Sequence, residues 1–180
     1  MESCFSRPRD EVEGVATQIG RARQFVSVTE LNNTKMDQPI LHHIGYVVPS
    51  IAAVGARFAK SVAANWDERI IHDPLQKVFV SFFTPAGEST TQIELVEPSA
   101  EDSPVVAFLN RGGGLHHLCY EVDNLELHMQ LMRADGSVPA RSPLPAVAFD
   151  GRRIAWMLTP DRLLLEFLER NRTQTVKPSF

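Results

Sequence analysis

Two segments of the chain are near copies of each other, Leu41-His42-His43-Ile44-Gly45-Tyr46-Val47-Val48 and Leu115-His116-His117-Leu118-Cys119-Tyr120-Glu121-Val122. The second histidines of the two segments lie 74 positions apart. Each is followed about fifty residues later by a glutamate set in an apolar run, Ile93-Glu94-Leu95 in one case and Leu165-Glu166-Phe167 in the other, which is the bookkeeping expected of a duplicated unit. The repeat restricts the chain to a fold of two equivalent modules, with one histidine and one acid at matching positions of each.

The hydrophobic periodicity between these landmarks reads strand, helix, strands, and then the same again. A strand over 40–48 stops at Pro49-Ser50, where the serine can cap a helix whose apolar stripe is Ile51, Val54, Phe58 and Val62. Strands follow near 69–72, 77–83 and 91–96, and a short connecting helix over 103–109 ends at Asn110 and three glycines. The second unit opens at Leu115 and continues as a strand to Val122, a helix over 125–134, and strands near 137–140, 152–158 and 163–168. Each module is therefore expected to be β-α-β-β-β. The domain spans 37–171, with modules at 39–98 and 114–170. Residues 1–36, polar and interrupted by Pro8, Gly14 and Gly20, read as a flexible extension, and 172–180 as a tail.

Composition narrows the function classes. With 43% apolar and 22% charged residues among 180, the chain is an ordinary globular protein with enough apolar mass for a core. A net charge of -4 and a pI near 5.9 provide no electrostatic footprint for nucleic acid. No apolar run approaches the roughly 20 residues of a membrane-spanning helix, so no membrane partner is expected. Cys4 and Cys119 do not make a disulfide framework, and acids among the first residues argue against a transit peptide; the expected location is cytoplasmic.

Alternation along a strand sends consecutive side chains to opposite faces. His42 and His116 would then fall with Ile44, Tyr46 and Leu118, Tyr120 on the helix-packed side, leaving His43 and His117 on the other. Glu94 and Glu166 likewise alternate with bulky apolar neighbours, a costly place for a carboxylate unless it is paired or metal-bound. A lone strand histidine is ordinarily a hydrogen-bonded core residue, but two His and two Glu recurring in register have a common purpose. Two imidazoles and two carboxylates suit one divalent ion, Zn²⁺, Co²⁺, Ni²⁺ or Mn²⁺, with room for water or substrate.

On these residues the chain resembles the vicinal oxygen chelate superfamily and, within it, the methylmalonyl-CoA epimerases. The likeness is carried by the segment from His42 to Pro49, Ile93-Glu94-Leu95-Val96-Glu97-Pro98, Asp102-Ser103-Pro104, the run from Gly113 to Asn124, the segment from Gly151 to Trp156 and Leu165-Glu166-Phe167-Leu168-Glu169. It covers about Pro39 to Glu169, and the double-histidine run into Glu121-Val122-Asp123 is its most specific part. The resemblance implies an α+β fold, two tandem βαβββ modules curling into an open, cup-shaped sheet around one metal. It puts His43, Glu94, His117 and Glu166 at the ligand positions and makes Glu166 the catalytic acid/base. The implied reaction is abstraction of a proton next to the carbonyl of a 2-substituted acyl thioester, with an acyl-CoA as the small-molecule substrate and a homodimer as the assembly. A glyoxalase I-like lyase acting on a glutathione hemithioacetal and a non-catalytic small-molecule-binding protein are the alternatives. Two departures stand out: Val80 where some epimerases carry a second Glu, and the short turn Thr159-Pro160-Asp161-Arg162 in place of a longer loop. Arg152 and Arg153 are the candidates for meeting an anionic substrate.

Overall fold

A computed structural model describes residues 38–87 and 90–171; the expected extension and tail lie outside the described residues. In chain order the elements are β1 (Ile40–Val47), α1 (Ile51–Ser61), β2 (Ala64–Asn65), β3 (Ile71–Asp73), β4 (Val78–Pro85), β5 (Gln92–Pro98), α2 (Val106–Leu109), β6 (Gly114–Val122), α3 (Leu125–Ala134), β7 (Val138–Pro145), a 3-10 turn (Val147–Phe149), β8 (Arg153–Leu158) and β9 (Leu164–Glu169). The strands form one sheet in the order β2-β4-β5-β1-β6-β9-β8-β7, with β3 also on β4. Each module contributes a first strand that runs parallel to its own last strand, β1 beside β5 and β6 beside β9, and the modules join where β1 and β6 pair antiparallel. This is the duplicated α+β arrangement anticipated from the repeat.

Local chemistry explains the helices. At the start of α1, Ser50 Oγ accepts from the Ala53 N–H at 3.4 Å and Glu97 Oε2 accepts from the Ile51 N–H at 2.7 Å, satisfying two of the donors a helix start leaves open. Asn124 Oδ1 does the same for the Leu127 N–H at the start of α3. α1 buries Ile51 against Phe83 and Leu95, and α3 buries Leu125 and Met129 against Val122, Met157 and Phe167. The helices thus cover one face of the sheet, as the apolar stripes require.

Three elements differ from the sequence reading, one of them the 3-10 turn Val147–Phe149, to which the sequence reading assigns no element. The short strand β2 was not anticipated, because two residues carry no period to detect. β7 runs on to Pro145 instead of ending near Ala140, through a stretch rich in proline. It pairs only with β8 at the sheet edge, where an imino acid need not donate to a second neighbour. Among the described residues no helix is long and apolar enough to cross a membrane.

Candidate metal centre

The register of the central pair builds the site. His43 lies opposite Cys119, Ile44 opposite Leu118 and Gly45 opposite His117, a pattern that maps onto itself when the modules are exchanged. A local twofold axis therefore passes through the Ile44–Leu118 pair. Neighbouring strands extend this into two related rows, Phe82, Glu94, Gly45, His117 and Trp156, Glu166, Cys119, His43. In each row only a small residue separates carboxylate from imidazole, so the two can close over it.

They do close. His43 Nε2 and His117 Nε2 are 3.1 Å apart, His43 Nε2 is 3.1 Å from Glu166 Oε2 and 3.4 Å from Glu94 Oε2, and His117 Nε2 is 3.4 Å from each carboxylate. Ligands about 2.1 Å from a common ion are about 3.0 Å apart at right angles and about 3.4 Å apart at the tetrahedral angle, so these spacings fit one small divalent cation. His43, His117 and Glu166 form the tightest mutual cluster, with Glu94 closing on both imidazoles. All four are buried, at 0%, 5%, 4% and 3% exposure for His43, Glu94, His117 and Glu166. Cys119 also lies near His43 and His42; burial and then the Glu166 charge push its thiol pKa up.

The expected placement of His42 and His116 on the helix side is corrected. The β1–β6 ladder skips both residues: Leu41 pairs with Tyr120 and the next bridge is His43 with Cys119, while Gly45 pairs with His117 and Tyr46 with Leu115. Each is the extra residue of a β-bulge, and a bulge re-aims its side chain. The consequence is a matched pair of contacts, His42 Nδ1 to His43 Nδ1 at 2.9 Å and His116 Nδ1 to His117 Nδ1 at 3.0 Å. A histidine that presents Nε2 to a cation carries its proton on Nδ1, so His43 and His117 would donate to the preceding imidazoles and be held in that tautomer. Strict alternation could not reveal this, since a bulge leaves no period in a short strand.

The loops break the twofold symmetry and open one side. Phe149, in the 3-10 turn, stacks on His43 with ring centroids 5.6 Å apart and meets His42 edge-on. Glu94, His116, His117 and Glu166 instead line a cavity of about 220 Å³ whose remaining wall is largely apolar, including Val80, Ile154 and Trp156. Val80 faces this space, so no carboxylate stands at that position. His116 is kept neutral there: burial and then the His117 charge lower its pKa to about 4. Arg152 and Arg153 do not line the cavity. Arg152 is paired with Glu121 at 2.5 Å, and Arg153 with Glu126 and Glu169 at 2.6 and 2.7 Å, which removes them as anchors for an anionic substrate.

The four groups also hold one another electrostatically. Burial opposes charge on His43, but Glu94, Cys119 and Glu166 together outweigh it and raise the imidazole pKa well above 6.5; burial likewise opposes charge on His117, which hydrogen bonds to Glu166 and Glu94 raise. Both carboxylates are lowered from 4.5 by the imidazoles despite burial. The imidazole contribution to stability is full below about pH 6.5 and lost as pH rises through the raised values, whereas that of the carboxylates is lost as pH falls through their lowered values. A cation replaces those imidazole protons. The rise in melting temperature on adding Zn²⁺ or Co²⁺ should therefore grow from about pH 6 to about pH 8, and a rise that stays level or shrinks over that interval would contradict ligation by the two histidines.

Comparison with known proteins identifies the family and agrees with the fold. Residues 42–156 match the model of the Glyoxalase/Bleomycin resistance protein/Dioxygenase superfamily. The chain is 32% identical over 126 residues to the mitochondrial methylmalonyl-CoA epimerase of Homo sapiens, covering 68% of this chain and 58% of that protein. It is 31% identical over 127 residues to the ethylmalonyl-CoA/methylmalonyl-CoA epimerase of Cereibacter sphaeroides, covering 67% and 89%. The match thus spans somewhat over half the length of the human relative and most of the bacterial one. Among solved structures, methylmalonyl-CoA epimerase from Mycobacterium tuberculosis superposes with a TM-score of 0.63 at 22% identity, over 73% of this chain and 87% of that one. A Streptomyces coelicolor methylmalonyl-CoA epimerase in complex with 2-nitronate-propionyl-CoA does so with a TM-score of 0.63 at 20% identity, over 76% and 97%. At these identities the two structures speak for the fold.

Proposed function

Because the chain belongs to the glyoxalase/bleomycin resistance/dioxygenase superfamily, we propose that it is a metal-dependent isomerase of epimerase type, moving the α-proton of a 2-substituted acyl thioester such as an acyl-CoA. The observation that carries this reading is the convergence of His43, His117, Glu94 and Glu166 beside a small apolar cavity. These four residues would hold a divalent ion, which when bound would supply Lewis-acid stabilisation of the negative charge on a carbonyl oxygen next to the departing proton. Zn²⁺, Co²⁺, Ni²⁺ and Mn²⁺ all suit the donor set.

The chain's own residues do the rest. Glu166 would take the α-proton, from a position that also makes it one of the residues that would hold the ion. Inversion needs a proton source on the opposite side of the flattened carbon. Val80 and its counterpart Ile154 are hydrocarbon walls, and the third acid at the cavity, Asp73, is occupied by the N–H groups of Leu75, Gln76 and Val147 at 3.0, 3.0 and 2.8 Å. Glu94, the twofold partner of Glu166, is therefore the second carboxylate. The apolar walls shelter the carbanionic carbon from water, while Phe149 closes the His43 side.

The test is solvent exchange. Metal-loaded protein in deuterated water should introduce deuterium at C2 of methylmalonyl-CoA as the enantiomers interconvert, and chelation of the metal should stop it. A glyoxalase-like lyase would instead convert a glutathione hemithioacetal and leave C2 of the thioester untouched, and a binding module would do neither.

A further inference from the structure

Besides residues of the metal centre, the cavity is lined by the polar side chains of Asp73, Gln76 and Arg141. Arg141, on β7 of the second module, crosses to the β3–β4 turn of the first: its Nη1 donates to Gln76 Oε1 at 2.8 Å and its Nη2 to the Leu75 carbonyl at 3.0 Å. It is the one arginine or lysine among the described residues lining a cavity that also holds the carboxylates Asp73, Glu94 and Glu166. Arg152, Arg153 and Arg170 each contact a carboxylate, whereas the hydrogen bonds of Arg141 go to neutral oxygens. Its side chain is exposed, its charge is uncompensated by contact, and two anchors hold its fork in place, with N–H groups left over.

Gln76 adds an independent sign. Only 9% exposed, it lines the same cavity; Arg141 fixes its amide oxygen, and its Nε2 is buried with no hydrogen-bond partner among the described residues. Arg141 and Gln76 are thus one hydrogen-bonded unit in the cavity wall, with the guanidinium on its exposed side. We infer that Arg141, with Gln76 beneath it, forms an anion-recognition subsite at the cavity mouth, taking the anionic oxygens of the substrate end that lies away from the four-ligand cluster. At about 220 Å³ the cavity is smaller than the roughly 300–1,000 Å³ that encloses a drug-sized ligand. An acyl head fits inside it and the rest of a thioester carrier must emerge past Arg141. The inference rests on the acyl-thioester reading of the site.

The shared chemistry is an anionic oxygen, which a carboxylate on the acyl group or a phosphate on the carrier can supply. Calorimetric titration of metal-loaded wild type and Arg141→Gln with methylmalonyl-CoA and with methylmalonyl-pantetheine, which has no phosphate, separates these sources. The variant should keep its fold and metal content, with a melting temperature lowered only by loss of the Gln76 and Leu75 contacts, yet bind methylmalonyl-CoA about 10- to 100-fold more weakly, the loss expected for a hydrogen-bonded charge. A loss confined to the CoA ester assigns the subsite to phosphate, and an equal loss with both ligands assigns it to the acyl carboxylate. Unchanged affinity for both ligands overturns the subsite and leaves the isomerase reading standing. Weaker binding by a protein whose wild type exchanges no deuterium supports the subsite and overturns the isomerase; a wild type that binds neither ligand overturns both.

Discussion

Replacing Glu166 with glutamine should leave a protein that still takes up a divalent ion but exchanges the α-proton about 10²- to 10⁴-fold more slowly, the range over which a positioned general base acts. The change isolates the two roles assigned to this residue. Glutamine keeps the length and one carbonyl oxygen, so it can still occupy the position beside His43 and His117, where Glu166 lies 3.1 and 3.4 Å from the imidazoles. It cannot accept the proton. Metal affinity should fall because a neutral oxygen replaces a charged one, and excess metal should restore occupancy without restoring exchange. Near-normal exchange at saturating metal would show that Glu166 is only a ligand. The same substitution at Glu94 completes the comparison: if Glu94 serves the opposite face, Glu94→Gln should lose inversion more severely than it loses deuterium exchange of the enantiomer whose proton faces Glu166.

Gly45→Ala should damage the centre almost as severely as removing His117 itself. A Cβ built on Gly45 would lie 2.0 Å from His117 Cε1, 2.4 Å from Nδ1 and 2.5 Å from Nε2, because the imidazole lies directly over the glycine. Neither partner can retreat, since Gly45 and His117 face each other in the β1–β6 ladder and Gly45 also pairs with Glu94 in β5. Overpacking of a filled interior costs about 1–3 kcal/mol and here forces the ring off the common point. The expected result is a folded protein, with its melting temperature lowered, that has lost most of its metal, as His117→Ala should. Wild-type metal content in Gly45→Ala, measured by elemental analysis after dialysis, would contradict the ring's assigned position. The effect is purely steric, so the relevant property of this glycine is its missing side chain.

The repeat of His43 and His117 with Glu94 and Glu166 was legible because duplication writes the same spacing twice, and alternation then placed the acids on the face away from the helices. Helix α3 was legible to the residue, being bounded by the cap Asn124 and the turn at Asp135-Gly136. The same alternation failed at His42 and His116, since a bulge inserts one residue without altering the apolar pattern on either side. Arg152 and Arg153 looked available for substrate because a strand pattern does not say which acids the fold brings beside them; these are Glu121, Glu126 and Glu169. Arg141 carried no signal at all, standing in an edge strand between prolines.

The amino-acid sequence alone determined that two equivalent modules exist and which residue types each contributes, because periodicity and spacing are properties of the chain taken in order. Tertiary structure decided what that order cannot contain. The antiparallel seam of β1 and β6 set the twofold register that brings two imidazoles and two carboxylates to one place, and the loops then made the place asymmetric by laying Phe149 over His43 and leaving the other side open beside Arg141. Such contacts join residues far apart in the chain, and side chains meet there through the packing of strands and loops that no local pattern records.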